Sequence, residues 1–362
     1  MKITIVSGAR PNFMKIAPLV RAIDAEIERG ANVSYRIVYT GNSEDVEIEA
    51  ALYADLNIRR PDAYLGVNES NQIALSAKIM MAFDRELTAN PANIVIVVDD
   101  LTATMSCTMV AKKHDVKVAH LVAGTHSFDH NAPKEVNRIV TDGLADYLFT
   151  AGMEANRNLN QAGAESGRIY HVGNILIDNI RYNRNRFMQP MWFSALGLQA
   201  KNYILLTLNR RALLADKRRL KELMTTLITE AKGRPIVVPV HNYVKRAIAD
   251  ADIEAPNLHL LQPQSYLYFG FLMNNADGVV TDSGNIAEET TFLGVPCITL
   301  NDYAEHPETW RLGTNCLVGS DNDKFAEALR SLTAGVWKRG ELPERWDGRT
   351  AERIVKILLE KE

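Results

Sequence analysis

Cysteine is scarce in this chain: Cys107, Cys297 and Cys316 are the only three in 362 residues. An odd number, widely spaced and set in apolar runs, does not make the paired framework of a small secreted domain. It reads as buried free thiols in a reducing compartment. A surplus of one charge is missing too, since 41 basic residues face 44 acidic ones for a net charge of −3. No basic excess points to nucleic acid, and no acidic block makes a tail. Long hydrophobic runs are absent, so no segment is expected to span a membrane. The ITIV run ahead of Gly8 is too short for a signal-peptide core, and the expected location is cytoplasmic. Short-period repeats and low-complexity tracts do not occur either.

A chain of 362 residues exceeds one ordinary core and predicts two domains. Apolar runs alternate with segments of helical period from end to end. ITIVSG (3–8), VSYRIVYT (33–40), NIVIVVDD (93–100), VKVAHLV (116–122) and YLFTAG (147–152) read as strands, with helices at 13–27, 73–87 and 104–114. After residue 200 the rhythm restarts with YILLTLN (203–209), a helix at 217–231, PIVVPVH (235–241), NLHLL (257–261), GVVTDSG (278–284) and PCITL (296–300). Short, fully apolar strands separated by helices imply parallel sheets covered on both faces. The expected fold is α/β, with two Rossmann-like, doubly wound domains and a cleft between them. The expected boundaries are 1–173, an irregular linker at 174–201, 202–345, and a C-terminal helix at 346–362 that packs back on the first domain.

Ligands of such sheets bind outside the carboxyl ends of the strands, which directs attention to the residues after each strand. In SGARPNFMK, Arg10 and Lys15 lie at the start of a helix, where both cations can meet a phosphate or lie solvated and snorkelling. In VVDDLTATM, Asp99 and Asp100 end a buried strand, as acid/base groups or as a cap for the helix from Thr102. Asp282-Ser283-Gly284-Asn285 forms a strand-to-helix turn suited to a diphosphate, and Glu289 shares a helix face with Asn285. That turn also fits a plain Asp or Ser cap. In AGTHSFDHNAPKE, His126 and His130 are four apart but sit in a Gly/Asp-rich loop with no second Cys/His pair at zinc spacing. No metal site and no cofactor are expected.

Taken in order, GARPNFMKIAPL, VDDLTATM, AGTHSFDHNAPKEVNRIVTD, VGNILID, LTLNRR, PVH, SYLYFGFLMNNADGVVTDSGNIAEETTFLGVP and EHPET resemble the non-hydrolysing UDP-N-acetylglucosamine 2-epimerases along nearly the whole chain. The resemblance implies a GT-B fold, a UDP-sugar as partner, a homodimer, and a place in polysaccharide biosynthesis. It implies UDP contacts from Phe269 on uridine, Ser283 and Gly284 on the diphosphate and Glu289 on ribose. Arg10, Asn285, His241 and His306 complete the expected UDP-binding set. The catalytic set it implies is Asp100, Lys15, His126 and Glu135. The family reaction expels UDP by anti-elimination and adds it back with C2 inverted, which requires a positioned acid/base set.

Several family acid/base positions differ here. The glutamate before Ala-Gly is Val122, the one after the helix-leading proline is Lys134, and the histidine before Arg-Arg is Asn209. Two family arginines are replaced by His126 and His306. The expected function is therefore a UDP-sugar enzyme resembling the 2-epimerase, acting on UDP-GlcNAc or a related nucleotide sugar. The alternatives are a GT-B glycosyltransferase or nucleotide-sugar hydrolase without C2 epimerisation, and a non-catalytic nucleotide-sugar-binding protein.

Overall fold

The fully apolar runs fold as parallel strands, because a strand buried on both faces cannot afford the polar alternation of a solvated sheet. A computed structural model describes residues 1–45, 48 and 51–361. The chain divides into two compact units, Met1–Tyr182 with Glu344–Glu362, and Asn183–Pro343.

In the first unit the elements run β1 (Lys2–Ser7), α1 (Arg10–Glu28), β2 (Ser34–Tyr39), α2 (Ala51–Leu56), β3 (Ala63–Tyr64), α3 (Gln72–Ala89) and β4 (Ile94–Val98). They continue with α4 (Thr102–Lys113), β5 (Lys117–Leu121), α5 (Pro133–Leu144), β6 (Tyr147–Thr150), α6 (Met153–Gln161), β7 (Ile169–His171) and α7 (Ile175–Asn183). The seven-stranded sheet has the order β3-β2-β1-β4-β5-β6-β7, with each neighbouring pair parallel. Strand order reverses between β1 and β4. Register pairs Val98 with Leu121, so β4 and β5 end side by side and release Asp99-Asp100 and Val122 at the same edge.

The second unit holds α8 (Met191–Ala195), β8 (Ile204–Thr207), α9 (Arg211–Ala215), α10 (Lys217–Glu230), β9 (Ile236–Pro239), α11 (Asn242–Asp250) and β10 (Leu258–Leu261). Then come α12 (Tyr266–Asn275), β11 (Gly278–Thr281), α13 (Gly284–Leu293), β12 (Cys297–Thr299), α14 (Glu308–Arg311), β13 (Asn315–Leu317) and α15 (Asn322–Thr333). Its six-stranded sheet repeats the pattern as β10-β9-β8-β11-β12-β13, again parallel. Each unit has its own core, built around Val95, Val97, Val118 and Phe83 in the first and Leu206, Val238, Val280 and Leu227 in the second.

The stretch 174–201, expected as an irregular linker, is partly helical. In α7 its polar residues hide a helix that buries Ile175, Leu176, Ile177 and Ile180. After Pro343 the chain rejoins the first unit and closes with α16 (Thr350–Lys361). There Asp178 accepts from the N–H groups of Thr350 at 3.0 Å and Ala351 at 2.7 Å, and Trp346 donates from Nε1 to the Ala151 carbonyl. No helix among the described residues is long and apolar enough to cross a membrane.

Candidate functional site

At the β11 exit of the second unit, the chain turns through Asp282 and Ser283 into α13. Ser283 is the N-cap residue, yet its side chain makes no capping bond. Asp282 does not cap α13 either. Its Oδ2 accepts from the backbone N–H groups of Asn209 at 2.7 Å and Arg210 at 2.8 Å, which ties the β8 exit to the β11 exit. Burial pushes the Asp282 carboxyl above its usual range despite those two donors. The opening N–H groups of α13 therefore have no side-chain oxygen from their own cap, and the helix dipole adds positive potential there. A Cβ built on Gly284 would meet nothing nearer than Glu305 Oε2 at 3.8 Å, so the approach to this turn is open.

The other expected UDP-binding residues of this unit are spread around the turn. Asn285 and Glu289 sit on α13, with Glu289 buried and accepting from Tyr266 Oη at 3.3 Å. Phe269 is half-buried on α12. His306 is buried, with Nε2 3.9 Å from Glu288. His241, exposed at the β9 exit, stacks on Tyr243 with the rings 6° apart. Tyr243 in turn donates to Asn209, the position where the resemblance expects a histidine.

In the first unit, Arg10 and Lys15 both lie on α1, but Lys15 is not a solvated surface cation. It is buried and its Nζ lies 2.5 Å from Asp99 Oδ1. Asn12 donates to the other Asp99 oxygen at 2.9 Å and accepts from Gly8 N–H at 2.9 Å, joining the β1 and β4 exits. Neither Asp99 nor Asp100 caps α4, whose N-cap is Leu101 without a side-chain bond. Asp100 is buried and faces α5 instead: Arg138 donates to its Oδ2 at 2.5 Å, and Lys134 Nζ is 3.3 Å from Oδ1. Asn137 holds the Asp100 carbonyl at 2.9 Å.

His126 and Glu135 are brought together, and both are turned inward. His126 Nδ1 is 2.8 Å from Glu135 Oε1, and Ser127 donates to Oε2 from its N–H and its hydroxyl. With Arg138 also 3.5 Å from Oε2, both Glu135 oxygens are occupied in a side chain that is 1% exposed. Burial alone would raise the Glu135 carboxyl, but the Ser127 and His126 donors outweigh it and hold it below its usual range. Asp129 and His130 are exposed on the loop. Among the described residues no cluster of His, Cys, Asp and Glu has the arrangement of a metal site.

Two side chains that the motif reading did not single out lie at the centre of this region. His120 on β5 is buried, with Nδ1 2.6 Å from Asp142 Oδ1 and Nε2 2.9 Å from the Asp99 carbonyl. Asp142 on α5 also accepts from Gly124 N–H at 3.0 Å and lies 3.2 Å from His126 Nε2. That last contact has ion-pair distance, but its angle is too poor for a hydrogen bond. The available signal was spacing: Glu135, Arg138 and Asp142 follow one another at three and four residues, which places all three on one helix face.

The family profile of UDP-N-acetylglucosamine 2-epimerase matches residues 25–359. This chain belongs to that family. A UDP-N-acetylglucosamine 2-epimerase of Methanocaldococcus jannaschii is 30% identical over 369 residues, covering 99% of each chain. A UDP-2,3-diacetamido-2,3-dideoxy-D-glucuronate 2-epimerase of Pseudomonas aeruginosa is 30% identical over 363 residues, also covering 99% of each. The crystal structure of the M. jannaschii UDP-GlcNAc 2-epimerase in complex with UDP-GlcNAc and UDP superposes with a TM-score of 0.87 at 30% identity, covering 99% of this chain and 100% of that one. The two parallel-sheet units are those of the GT-B class, and the chain resembles isomerases of this type.

Proposed function

We propose that this protein binds UDP-GlcNAc or a closely related UDP-sugar and acts on it as an isomerase of the 2-epimerase type. The observation that carries the reading is the β11–α13 turn, where the Ser283 side chain leaves the first N–H groups of α13 uncapped and Glu289 lies less than two turns into the same helix. In this reading Ser283, Gly284 and Asn285 take the diphosphate, Glu289 the ribose hydroxyls and Phe269 the uracil ring. Arg10, His241 and His306 supply further polar contacts to the nucleotide. On the sugar, the C2 proton leaves as the C1–O bond to UDP breaks and a C1=C2 double bond forms. UDP then adds back at C1 while a proton returns to the opposite face of C2.

Asp100 is the group we assign to the sugar, with Arg138 and Lys134 around its carboxylate. Lys15 supports the same edge through Asp99. His126 and Glu135 are engaged with each other and with Ser127, Arg138 and Asp142, which favours a positioning role over contact with substrate.

A second reading has a specific observation behind it. Val122 carries no proton-transfer group, and Glu135 is sealed, so the β5 exit offers no evident substitute base for C2. C1–O cleavage without C2 chemistry, as in a transferase or hydrolase, needs none. Incubation with UDP-GlcNAc in D₂O, followed by proton NMR, separates the two, with UDP-ManNAc as the reverse substrate. Deuterium at C2 with appearance of the epimer supports the isomerase. Release of UDP with C2 unexchanged supports the second reading, and UDP binding with intact sugar overturns both.

We also infer a homodimer and a cytoplasmic location. Val136 and Ile139 on α5 and Ile73 and Met81 on α3 are exposed apolar side chains suited to burial against a second copy. Light scattering on the purified chain tests the dimer. The free thiols of Cys107, Cys297 and Cys316 suit a reducing compartment.

A further inference from the structure

We propose that Asp142, with His120 and His126 as its imidazole partners, is a positioning residue that locks the β4 and β5 exits of the first unit into one shared geometry. The inference rests on the reading of Asp100 as the group that meets the sugar, because the lock acts by fixing the backbone on which Asp100 stands.

Both exits contain residues in a backbone conformation they adopt at a cost. Asp99 has φ of 59° and Val122 has φ of 69°. The left-handed region is uncommon for any residue with a Cβ and especially unfavourable for a β-branched one. Such a conformation persists only where surrounding contacts over-determine it. Here the contacts converge on one carboxylate. Through Oδ1, Asp142 holds His120, whose other nitrogen holds the Asp99 carbonyl. Through Oδ2, it holds Gly124 N–H, two residues after Val122, and faces His126 Nε2. The β4 exit is thus tied to one oxygen and the β5 exit to the other.

The geometry also sets the protonation of the imidazoles. A carbonyl oxygen only accepts, so His120 Nε2 carries a proton; an ionised carboxylate only accepts, so Nδ1 carries one as well. His126 lies between two carboxylates, hydrogen-bonded to Glu135 through Nδ1 and with Nε2 at ion-pair distance from Asp142, and the two negative charges favour its imidazolium form. Burial pulls both histidines down, but Asp142, and for His126 also Glu135, outweigh it and raise both above their ordinary 6.5. The charged groups that face this pair are Glu135, Arg138 and Asp142 from α5, and Asp99 and Asp100 from the β4 exit. Lys15 of α1 backs Asp99, and Lys134 backs Asp100.

The sign follows from those directions. Histidines whose folded pKa is raised contribute fully below 6.5, and the contribution is lost as pH rises through the folded value. Where the resemblance places an arginine at position 126, the charge would not titrate. By carrying His126 there, this chain adds a second titrating imidazole to the lock beside His120.

The test is hydrogen–deuterium exchange on the full chain from roughly pH 5 to 9, corrected for intrinsic rates. It compares wild type, Asp142→Asn and His126→Arg, with thermal unfolding as the check on folding. In wild type, peptides covering 98–102 and 122–127 are expected to lose protection together, by about tenfold or more, as pH rises. Peptides across 278–286 of the second unit should not respond. His126→Arg should reduce the step at 122–127 to the part His120 contributes, and Asp142→Asn should show low protection of both segments at every pH. Separate responses of the two segments in wild type, the absence of a step in wild type, or an undiminished step at 122–127 in His126→Arg overturns the proposal. If Asp142→Asn does not fold, the wild type and His126→Arg decide it alone. The exchange readout needs no turnover, so failure of the UDP-sugar reading would leave this result standing.

Discussion

The β11 exit of the second unit and the paired β4 and β5 exits of the first occupy the same place on two similar sheets, but present opposite chemistry. The β11–α13 turn offers backbone N–H groups at an open helix start. At the other edge the side chains Lys15, Asp99, Asp100, His120, His126, Glu135, Arg138 and Asp142 are mostly engaged with one another. A site built on backbone donors needs a strand, a small turn and a helix, and tolerates change in its side chains. A site built on a buried charge network needs every partner at once, because removing one leaves another charge buried and uncompensated.

Four substitutions or conditions sharpen the contrast, from the largest expected effect down. Lys15→Met leaves Asp99 without its cation in a buried setting and should destabilise the first unit by on the order of 3 kcal/mol. Denaturant titration with hydrogen exchange at β4 and β5 amides would register the loss, and an unchanged midpoint would show the pair is dispensable. Acid should act on the same unit next. Burial raises the Asp142 carboxyl, but His120 and His126 outweigh it and hold it down to about 2, against its ordinary 3.8. Its contribution is therefore present above 3.8 and lost as pH falls through about 2, on the order of 2 kcal/mol in all. A flat stability profile over that interval would contradict the assignment.

Gly284→Ala should separate binding from folding in the second unit. The added methyl has room, with its nearest neighbour at 3.8 Å, so the melting temperature should hold. The same methyl faces the proposed diphosphate, and UDP affinity by calorimetry should fall about tenfold, which is roughly 1.4 kcal/mol. Equal UDP affinity in the variant would move the nucleotide away from this turn. Smallest is Val122→Asn. Asparagine tolerates the left-handed region better than valine, and the variant should gain about 1 kcal/mol of stability in the first unit. A loss instead would mean that Val122 packing outweighs its backbone strain.

Most of the strands were legible because fully apolar runs such as IVIVV admit few other readings. The α7 helix was not, because NILIDNIRYN mixes asparagines with its apolar residues and reads as irregular until its partners are in place. In the sites, the DSGN turn was legible from residue types and spacing alone. His126 and Glu135 were legible as titratable groups, but their mutual engagement was not, since nothing in the loop AGTHSFDHNAPKE says that Glu135 points inward at His126.

The sequence by itself determined the alternation of strand and helix, the two sheets, the edge at which each loop emerges, and the family to which the chain belongs. These follow from local periodicity and from motifs read in order. The tertiary structure alone decided that His120 and Asp142 lie at the centre of the first unit, that Lys15 serves Asp99, and that Asp282 ties two strand exits instead of capping its helix. Those assignments depend on which residues from distant segments meet in a low-dielectric interior, where an unpaired charge is costly and partners far apart in the chain must satisfy one another.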